Sequence, residues 1–293
     1  MIKYYTRACN FYYGSLSKKL VKKKFTFPLG GKKNISFDQI EIFSKNNKKI
    51  TSKIINIKEI KLLSKTIKAK VILDIKKITS KKKFFNKKNH VLMGVLNMTP
   101  DSFSDGGKFN GYKKASRRIT EMLNAGADIV DIGGESTRPN SKIIPSKIEW
   151  ERIKNIIIKF KKRFPKVMLS IDTRKSFVMN KAINHKADII NDVSCFKFDK
   201  SSLDSIKNKN LWKIIHHMQG TPQTMQINPK YHHVLLDIYD FFEKEIENLK
   251  KEKYSNKIIL DPGIGFGKNL KHNLMILNKI SIFHSLGFPV LIG

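Results

Sequence analysis

From Val91 to the last residue, short apolar runs alternate with longer amphipathic stretches, and this alternation constrains the fold more than any other feature. A strand buried on both faces has a near-continuous apolar sequence, and a helix between two such strands supplies the crossover that parallel pairing requires. The pattern predicts strands at 91–97, 128–132, 167–171, 188–191, 212–216, 257–260 and 288–292. Helices are predicted between them at 113–125, 146–164, 175–185, 202–209, 234–253 and 270–286.

This alternation predicts an α/β fold, a TIM (β/α)8 barrel that is incomplete after its seventh strand. A complete barrel takes about 250 residues, whereas residues 91–293 supply 203. We therefore predict a C-terminally truncated barrel over 89–293, whose first and seventh strands have unpaired edges. A chain with such edges is expected to be poorly active until a C-terminal segment is restored.

Residues 1–88 are predicted to form a basic N-terminal extension of α+β type. Residues 35–43 alternate apolar and polar side chains as a half-buried strand does, and 57–73 are predicted as a helix followed by a strand. Residues 81–88 have the composition of a basic linker. The first 90 residues hold 25 Lys and Arg against four acids.

The whole chain has a formal charge of +34, a balance that a nucleic-acid partner would also produce. Only seven of its 58 basic residues are arginine, the side chain that phosphate and base recognition favours. We therefore interpret the charge as lysine on solvated faces and predict no specific nucleic-acid partner. Two distant cysteines, no apolar run near the ~20 residues of a membrane span and no secretory signal predict a cytoplasmic protein without a membrane partner.

Polar residues follow the predicted strands where each one ends. They are Asn97, Glu135 with Thr137 and Arg138, Asp172, Asn191 and Asp261. Any one of the aspartates alone would usually be the N-cap of the next helix. Because the carboxyl ends of barrel strands meet at one mouth, Asp172, Asn191 and Asp261 are predicted to converge there. Carboxylates and an amide so placed suit a flat heterocycle with adjacent donors and acceptors.

Two familiar motifs fail at residues 261–269. Pro262 occupies the first glycine of a phosphate-binding loop, Asn269 replaces its Ser or Thr, and Lys268 stands at the third glycine of a dinucleotide fingerprint. The pairs at 216–217 and 232–233 lack the helical spacing of zinc-binding histidines. We predict that His217 is a satisfied interior or loop histidine.

Six stretches resemble one enzyme family, dihydropteroate synthase, a pterin-binding enzyme of the folate pathway. They are Leu-Asn-Met-Thr-Pro-Asp-Ser-Phe-Ser-Asp-Gly-Gly (96–107), Gly-Gly-Glu-Ser-Thr-Arg-Pro (133–139), Ser-Ile-Asp-Thr (170–173), Ile-Asn-Asp (190–192), His-Met-Gln-Gly-Thr-Pro (217–222) and Asp-Pro-Gly-Ile-Gly-Phe-Gly-Lys-Asn (261–269). The resemblance implies a transferase that condenses 6-hydroxymethyl-7,8-dihydropterin diphosphate with 4-aminobenzoate, releases diphosphate and is the target of sulfonamides.

The resemblance also implies roles for single residues, with Mg²⁺ as the cofactor. Asp172 and Asp261 are implied as catalytic. The implied positions are Thr137, Asp172, Asn191 and Asp261 for the pterin, Arg138, Pro139 and Phe266 for 4-aminobenzoate, and Asn97 for magnesium.

Members of this family tend to form homodimers, and a Ser-Arg-Lys segment, an Arg-x-His pair and C-terminal helices of the family are not found here. Two alternatives stay open. One is a pterin-dependent methyltransferase, which shares the barrel but does not need the loops at 99–107 and 136–139. The other is a non-catalytic remnant of the synthase.

Overall fold

The computed structural model describes residues 2–82, 84, 90–99, 108–136, 141–207, 209–251, 254 and 257–293, with the backbone alone at 108–110. The chain forms two compact units. The first comprises Met1–Asn89, Lys230–Glu243 and Leu270–Val290, and the second comprises His90–Pro229, Lys244–Asn269 and Leu291–Gly293. The predicted division near residue 88 treated the N-terminal segment as separate, whereas the first unit combines it with two later segments.

The N-terminal segment of the first unit is an antiparallel sheet with helices. Its elements are β1 (Lys3–Tyr13), α1 (Gly14–Lys22), β2 (Phe27–Leu29), β3 (Lys32–Asn46), β4 (Lys49–Asn56), a 3₁₀ helix (Ile57–Leu62) and α2 (Lys65–Thr79). The long strand β3 pairs with β1 on one side and with β2 and β4 on the other. Apolar side chains of β1 and β3 pack with those of α2 in a core that contains Ala8, Phe37, Ile40, Ile42, Val71 and Ile78.

The second unit contains a parallel sheet. Along the chain from this sheet's first strand, the elements are β5 (Met93–Asn97), α3 (Lys108–Asn124), β6 (Ile129–Gly133), α4 (Ser146–Arg163), β7 (Met168–Asp172), α5 (Ser176–Asn184), β8 (Ile189–Asp192), α6 (Ser202–Ile206), β9 (Trp212–His216), α7 (Val234–Lys251), β10 (Ile258–Asp261), α8 (Leu270–Asn278) and a second 3₁₀ helix (Ile280–Leu286). Of these, α7 up to Glu243, α8 and the second 3₁₀ helix belong to the first unit. The strand order β10-β9-β8-β7-β6-β5 follows the chain, and every neighbouring pair is parallel. This is the arrangement of an incomplete (β/α)8 barrel, as predicted.

Two predicted strands differ from the structure. The strand predicted at 288–292 is reduced to a single bridge at Val290, beside which the backbone N–H of Leu291 donates to Leu260 O at 2.8 Å. The strand predicted at the end of 57–73 is instead part of a helix, α2, whose Val71, Asp74 and Ile78 are buried at the spacing of a helix face. Within the described part of the chain, none of the helices is both long and apolar enough to span a membrane.

The later segments of the first unit carry acids that meet cations of its sheet. Asp240 lies 2.6 Å from Lys3 Nζ and 2.9 Å from Lys45 Nζ, and it accepts a hydrogen bond from Tyr5 Oη at 2.9 Å. The Tyr5 ring packs edge-on against Tyr239, with 5.1 Å between the centroids. The N-terminal segment is therefore bound to these segments by charge pairs as well as by apolar packing.

Candidate active site

Polar side chains at the strand ends project from one face of the parallel sheet. Residues opposite each other in a parallel pair point to the same face. Asn97, Gly133, Asp172 and Asn191 form one such row across β5, β6, β7 and β8. Strand pairing thus brings together three of the residues that the sequence predicted.

Asp261 belongs to the same face, one step nearer the carboxyl end of the sheet. Asn191 is in register with Ile214, and His216, two residues further along β9, is in register with Asp261. Because side chains alternate along a strand, His216 and Asp261 point the same way as Asn191. The predicted trio of Asp172, Asn191 and Asp261 therefore shares one face of the sheet.

Gly133 leaves a gap in the row between an amide and a carboxyl group. A Cβ at this position would lie 3.5 Å from Asn97 Oδ1 and 3.4 Å from Asp172 Oδ2. These two oxygens therefore face the same small space, which any larger side chain at 133 would fill.

Asp131 is a member of this face that the sequence reasoning missed. It lies two residues before Gly133 and is 3% exposed, and Asn191 Nδ2 donates to its Oδ2 at 3.0 Å. The second oxygens of both side chains are buried, and they have no hydrogen-bond partner among the described residues. A carboxyl group inside an otherwise apolar strand was the available signal, since buried acids need partners.

The carboxyl groups of Asp131 and Asp172 both have a pKa above the usual range for aspartate. Burial is the main cause for each, and the negative charges of neighbouring carboxylates add to it. The pKa of Asp172 is raised well above its ordinary value. In the part of the chain that the structure describes, no Lys or Arg forms an ion pair with either group. Two acids with raised pKa values and without an ion pair to a described lysine or arginine share this face, which is typical of binding sites.

Two protein nitrogens lie beside the Asp261 carboxylate. His216 Nδ1 lies 3.1 Å from Oδ2, and the backbone N–H of Gly263 donates to Oδ1 at 2.8 Å. On its other side the His216 ring meets the Phe266 ring edge-on, at a centroid distance of 4.7 Å. Asp261 and Phe266, predicted for different substrates, therefore contact the same imidazole.

The loop at 262–268 closes over the end of β9. A Cβ at Gly263 would lie 2.1 Å from His217 O, so only glycine allows this approach. Lys268 is 3% exposed, and its Nζ donates to Phe266 O at 2.8 Å and lies 3.1 Å from His217 Nδ1. Burial lowers the pKa of Lys268 to about 7. His217 is an interior histidine with a partner, as predicted.

Glu135, which the sequence places after the end of a strand together with Thr137 and Arg138, is buried rather than exposed. It is 5% exposed, and Arg174 Nε at 3.2 Å and Lys175 Nζ at 3.0 Å pair with its Oε2. Its Oε1 accepts the backbone N–H of Ile144 at 3.0 Å. Glu135 therefore links the end of β6 to Ile144 and to the two cations. The predicted residues Thr137, Arg138 and Pro139 lie outside the described residues.

Asn97 is exposed, and its Oδ1 faces the gap at Gly133. The described residues contain no group of three or more His, Cys, Asp or Glu side chains arranged to hold a metal ion. An amide oxygen beside a carboxyl oxygen is nevertheless a donor set that suits Mg²⁺, which keeps several waters and takes few protein ligands.

A sheet face lined by carboxyl groups and an amide, at the carboxyl ends of barrel strands, is typical of an enzyme that acts on a small molecule. The chain belongs to the pterin binding enzyme family, whose sequence profile matches residues 93–293. Its relatives in that family include the dihydropteroate synthase of Escherichia coli K12, 39% identical over 203 residues that cover 69% of this chain and 71% of the relative. The synthase of Clostridium beijerinckii is 41% identical over 204 residues, 69% of this chain and 72% of its own length.

Solved structures give the same result. A Yersinia pestis dihydropteroate synthase with a sulfonamide drug complex is 40% identical and superposes with a TM-score of 0.65, over 69% of this chain and 74% of that one. The Xanthomonas albilineans synthase with 4-aminobenzoic acid is 32% identical, with a TM-score of 0.63 over 69% and 72% of the two chains. The family and the barrel fold predicted from the motifs are confirmed, and the relatives are transferases.

Proposed function

We propose that this protein is a dihydropteroate synthase, which joins 6-hydroxymethyl-7,8-dihydropterin diphosphate to 4-aminobenzoate and releases 7,8-dihydropteroate and diphosphate. The observation that carries the proposal is the shared sheet face of Asp131, Asp172, Asn191 and Asp261 in a member of this family. A pterin presents an amino group and a ring N–H side by side, and beside them ring acceptors. The carboxyl groups and the amide on this face are hydrogen-bonding groups that suit these donors and acceptors.

The pterin would be read by donors and acceptors of complementary kinds. Asp261 Oδ1 accepts one protein hydrogen bond and Oδ2 lies 3.1 Å from His216 Nδ1, so both oxygens retain a lone pair for the amino and ring N–H groups of the ligand. Asn191 has its Nδ2 committed to Asp131, so its Oδ1 is left to accept from the ring. Asp172, in register with Asn191, adds a second carboxyl group beside it on the same face.

The reaction is a displacement at the methylene carbon attached to the pterin ring. The C–O bond to diphosphate breaks, the bond to the 4-aminobenzoate nitrogen forms, and the amine then loses a proton. Positive charge that develops on the ring is stabilised by the nearby Asp172 and Asp261, because preorganised groups act strongly where water is excluded. Phe266 would form a wall of the 4-aminobenzoate site together with Arg138 and Pro139.

Magnesium would bind at Asn97, where the amide oxygen faces the gap at Gly133. A bound Mg²⁺ ion supplies positive charge that neutralises the departing diphosphate. Among the described residues, no lysine or arginine forms an ion pair with Asp131 or Asp172, so we assign these acids to the pterin and the neutralisation of the phosphates to the metal ion.

The test is diphosphate release by the full chain with Mg²⁺, supplied with both substrates, with each substrate alone, and with a sulfonamide as competitor of 4-aminobenzoate. Release should require both substrates and fall with the sulfonamide, and Asp261→Asn should weaken pterin binding in calorimetry. Methyl transfer from methyltetrahydrofolate in place of diphosphate release would favour the methyltransferase alternative. A chain that binds no pterin would contradict the proposal.

A further inference from the structure

His216 contacts Asp261 and Phe266, two residues assigned to the substrates, but has no assigned part in binding itself. It is 4% exposed and ends β9 in register with Asp261. Its ring lies between the Asp261 carboxylate and the Phe266 ring. We propose that His216 is a positioning residue of the pterin site, which fixes the Asp261 carboxylate in the orientation that receives the pterin. This inference rests on the proposed function.

The hydrogen bond to Asp261 defines what the imidazole does. The carboxylate is an acceptor and His216 Nδ1 lies 3.1 Å from its Oδ2, so the tautomer with its hydrogen on Nδ1 places a donor beside that oxygen. Gly263 N–H holds Oδ1 at 2.8 Å. One donor on each oxygen fixes the plane of the carboxylate, and both oxygens keep a lone pair for a ligand that donates two hydrogen bonds side by side.

The other ring nitrogen argues against a role in proton transfer. His216 Nε2 is buried and has no hydrogen-bond partner among the described residues. It lies against the backbone of the next loop, since a Cβ at Gly263 would be 2.8 Å from it. A general base must reach the proton that it removes, and a nitrogen covered by Gly263 does not reach the arylamine.

The unpaired Nε2 also shows that the site is not built for packing alone. A buried polar atom without a partner is unfavourable, and an apolar side chain of similar size would fill the same space without it. The imidazole is therefore explained by its one donated hydrogen bond. That bond stabilises the orientation of Asp261 more than it stabilises the fold.

The test compares two variants that differ in this hydrogen bond. His216→Asn keeps an N–H donor close to the position of Nδ1, whereas His216→Leu removes the donor and keeps the bulk. Calorimetry with 6-hydroxymethyl-7,8-dihydropterin on the full chain should show an affinity at least ten-fold weaker for His216→Leu and within three-fold of the original for His216→Asn. Thermal denaturation should show that His216→Leu is no less stable, which separates positioning from folding.

A second arm uses Asp261→Asn as the background. If His216 acts through Asp261, adding His216→Leu to Asp261→Asn should weaken pterin binding by no more than two-fold. Equal losses in the Leu and Asn variants, full affinity in His216→Leu, or additive losses in the double variant would each overturn the proposal. Absence of pterin binding by the unaltered chain would instead overturn the proposed function, and this inference with it.

Discussion

Glu41 in the first unit is buried and Asp172 in the second is half-buried, and their surroundings shift the pKa values of the two acids in opposite directions. Glu41 is 2% exposed and lies between Arg7 Nε at 2.7 Å and Lys279 Nζ at 2.6 Å. Burial acts to raise the pKa of Glu41, but the hydrogen bonds from Lys279 and Arg7 outweigh it, so the pKa is lowered. Asp172 has no such cation among its described neighbours, and its pKa is raised well above the usual value.

The difference shows which acids serve the fold and which are available to a ligand. A buried carboxylate with two cations contributes to the native state as long as it is ionised. A buried carboxyl group without a cation destabilises the native state when it ionises, and the structure tolerates it only where something else is to bind. The comparison therefore predicts opposite effects of neutralising the two side chains.

The largest effect is expected for Glu41→Gln. Removing the charge leaves Arg7, which is 13% exposed, in a buried position without its counter-ion. Breaking a buried pair in this way typically costs about 3–5 kcal/mol, so we expect a loss in the lower part of that range, because Lys279 is able to turn toward water. Urea denaturation measures it. Glu121→Gln, in an exposed pair with Arg117, is the matched control and should change the free energy of unfolding by less than about 0.5 kcal/mol.

Next in size is the loss of pterin binding in Asp261→Ala. The substitution removes both acceptor oxygens and leaves the ligand donors unpaired in a buried site, which should weaken binding by about 2–4 kcal/mol. Calorimetry with a dihydropterin measures the affinity. Stability should change far less than in Glu41→Gln, because Asp261 has no ion pair with a lysine or arginine among the described residues. An unchanged affinity would remove Asp261 from the site.

Asp172→Asn should do the reverse of Glu41→Gln and stabilise the chain. The amide resembles the neutral acid, so it relieves the unfavourable ionisation of a buried group, and we expect a gain of about 1–2 kcal/mol near neutral pH. Pterin affinity should fall in the same variant, since an amide presents a different set of donors and acceptors. Denaturation and calorimetry on one preparation measure both. Lower stability would show that a cation compensates Asp172 after all.

The pH dependence of these two variants sharpens the comparison. Because the pKa of Asp172 is raised in the folded state, ionisation of this group destabilises the original chain as pH rises above 3.8, the ordinary value for aspartate, and through the folded-state pKa. A lowered pKa means that the Glu41 contribution is present above 4.5 and is lost as pH falls through its folded-state value. At acid pH the free energy of unfolding of both variants should therefore approach that of the original chain. Asp172→Asn should start from a higher stability and Glu41→Gln from a lower one. Differences that stay constant with pH would contradict this explanation.

The strand ends of the site were predictable from the sequence, and the pairing between its side chains was not. Each apolar run stops at a polar residue, and parallel strands end at one edge, so Asp172, Asn191 and Asp261 had to be neighbours. Asp131 gave no such signal, because it lies inside its strand rather than at the end. The contact between His216 and Asp261 depends on strand register, which spacing along one chain does not define.

The N-terminal segment was predictable only in its strand pattern. The alternation at 35–43 predicted a half-buried strand, and β3 contains it. The acids that pair with Lys3 and Lys45 lie more than 190 residues away in sequence, so no local pattern indicated them. The same lysines looked like solvated charge in the sequence, and the structure gives some of them specific partners.

The smallest effect is expected for Lys3→Ala, which removes the ion pair between Lys3 and Asp240. The Lys3 side chain is 39% exposed, so water and salt screen its attraction to Asp240, and exposed pairs contribute about 0.2–1 kcal/mol. Asp240 also keeps Lys45 Nζ at 2.9 Å and Tyr5 Oη at 2.9 Å, which limits the loss further. We expect a loss of about 0.5 kcal/mol in low salt that shrinks in 1 M NaCl, measured by thermal denaturation against Lys18→Ala on α1.

The loss of stability on changing both Lys3 and Lys45 should exceed the sum of the single losses, because only then does Asp240 lose both lysines. A loss that is independent of salt would place this pair with Glu41, as buried charge on which the fold depends.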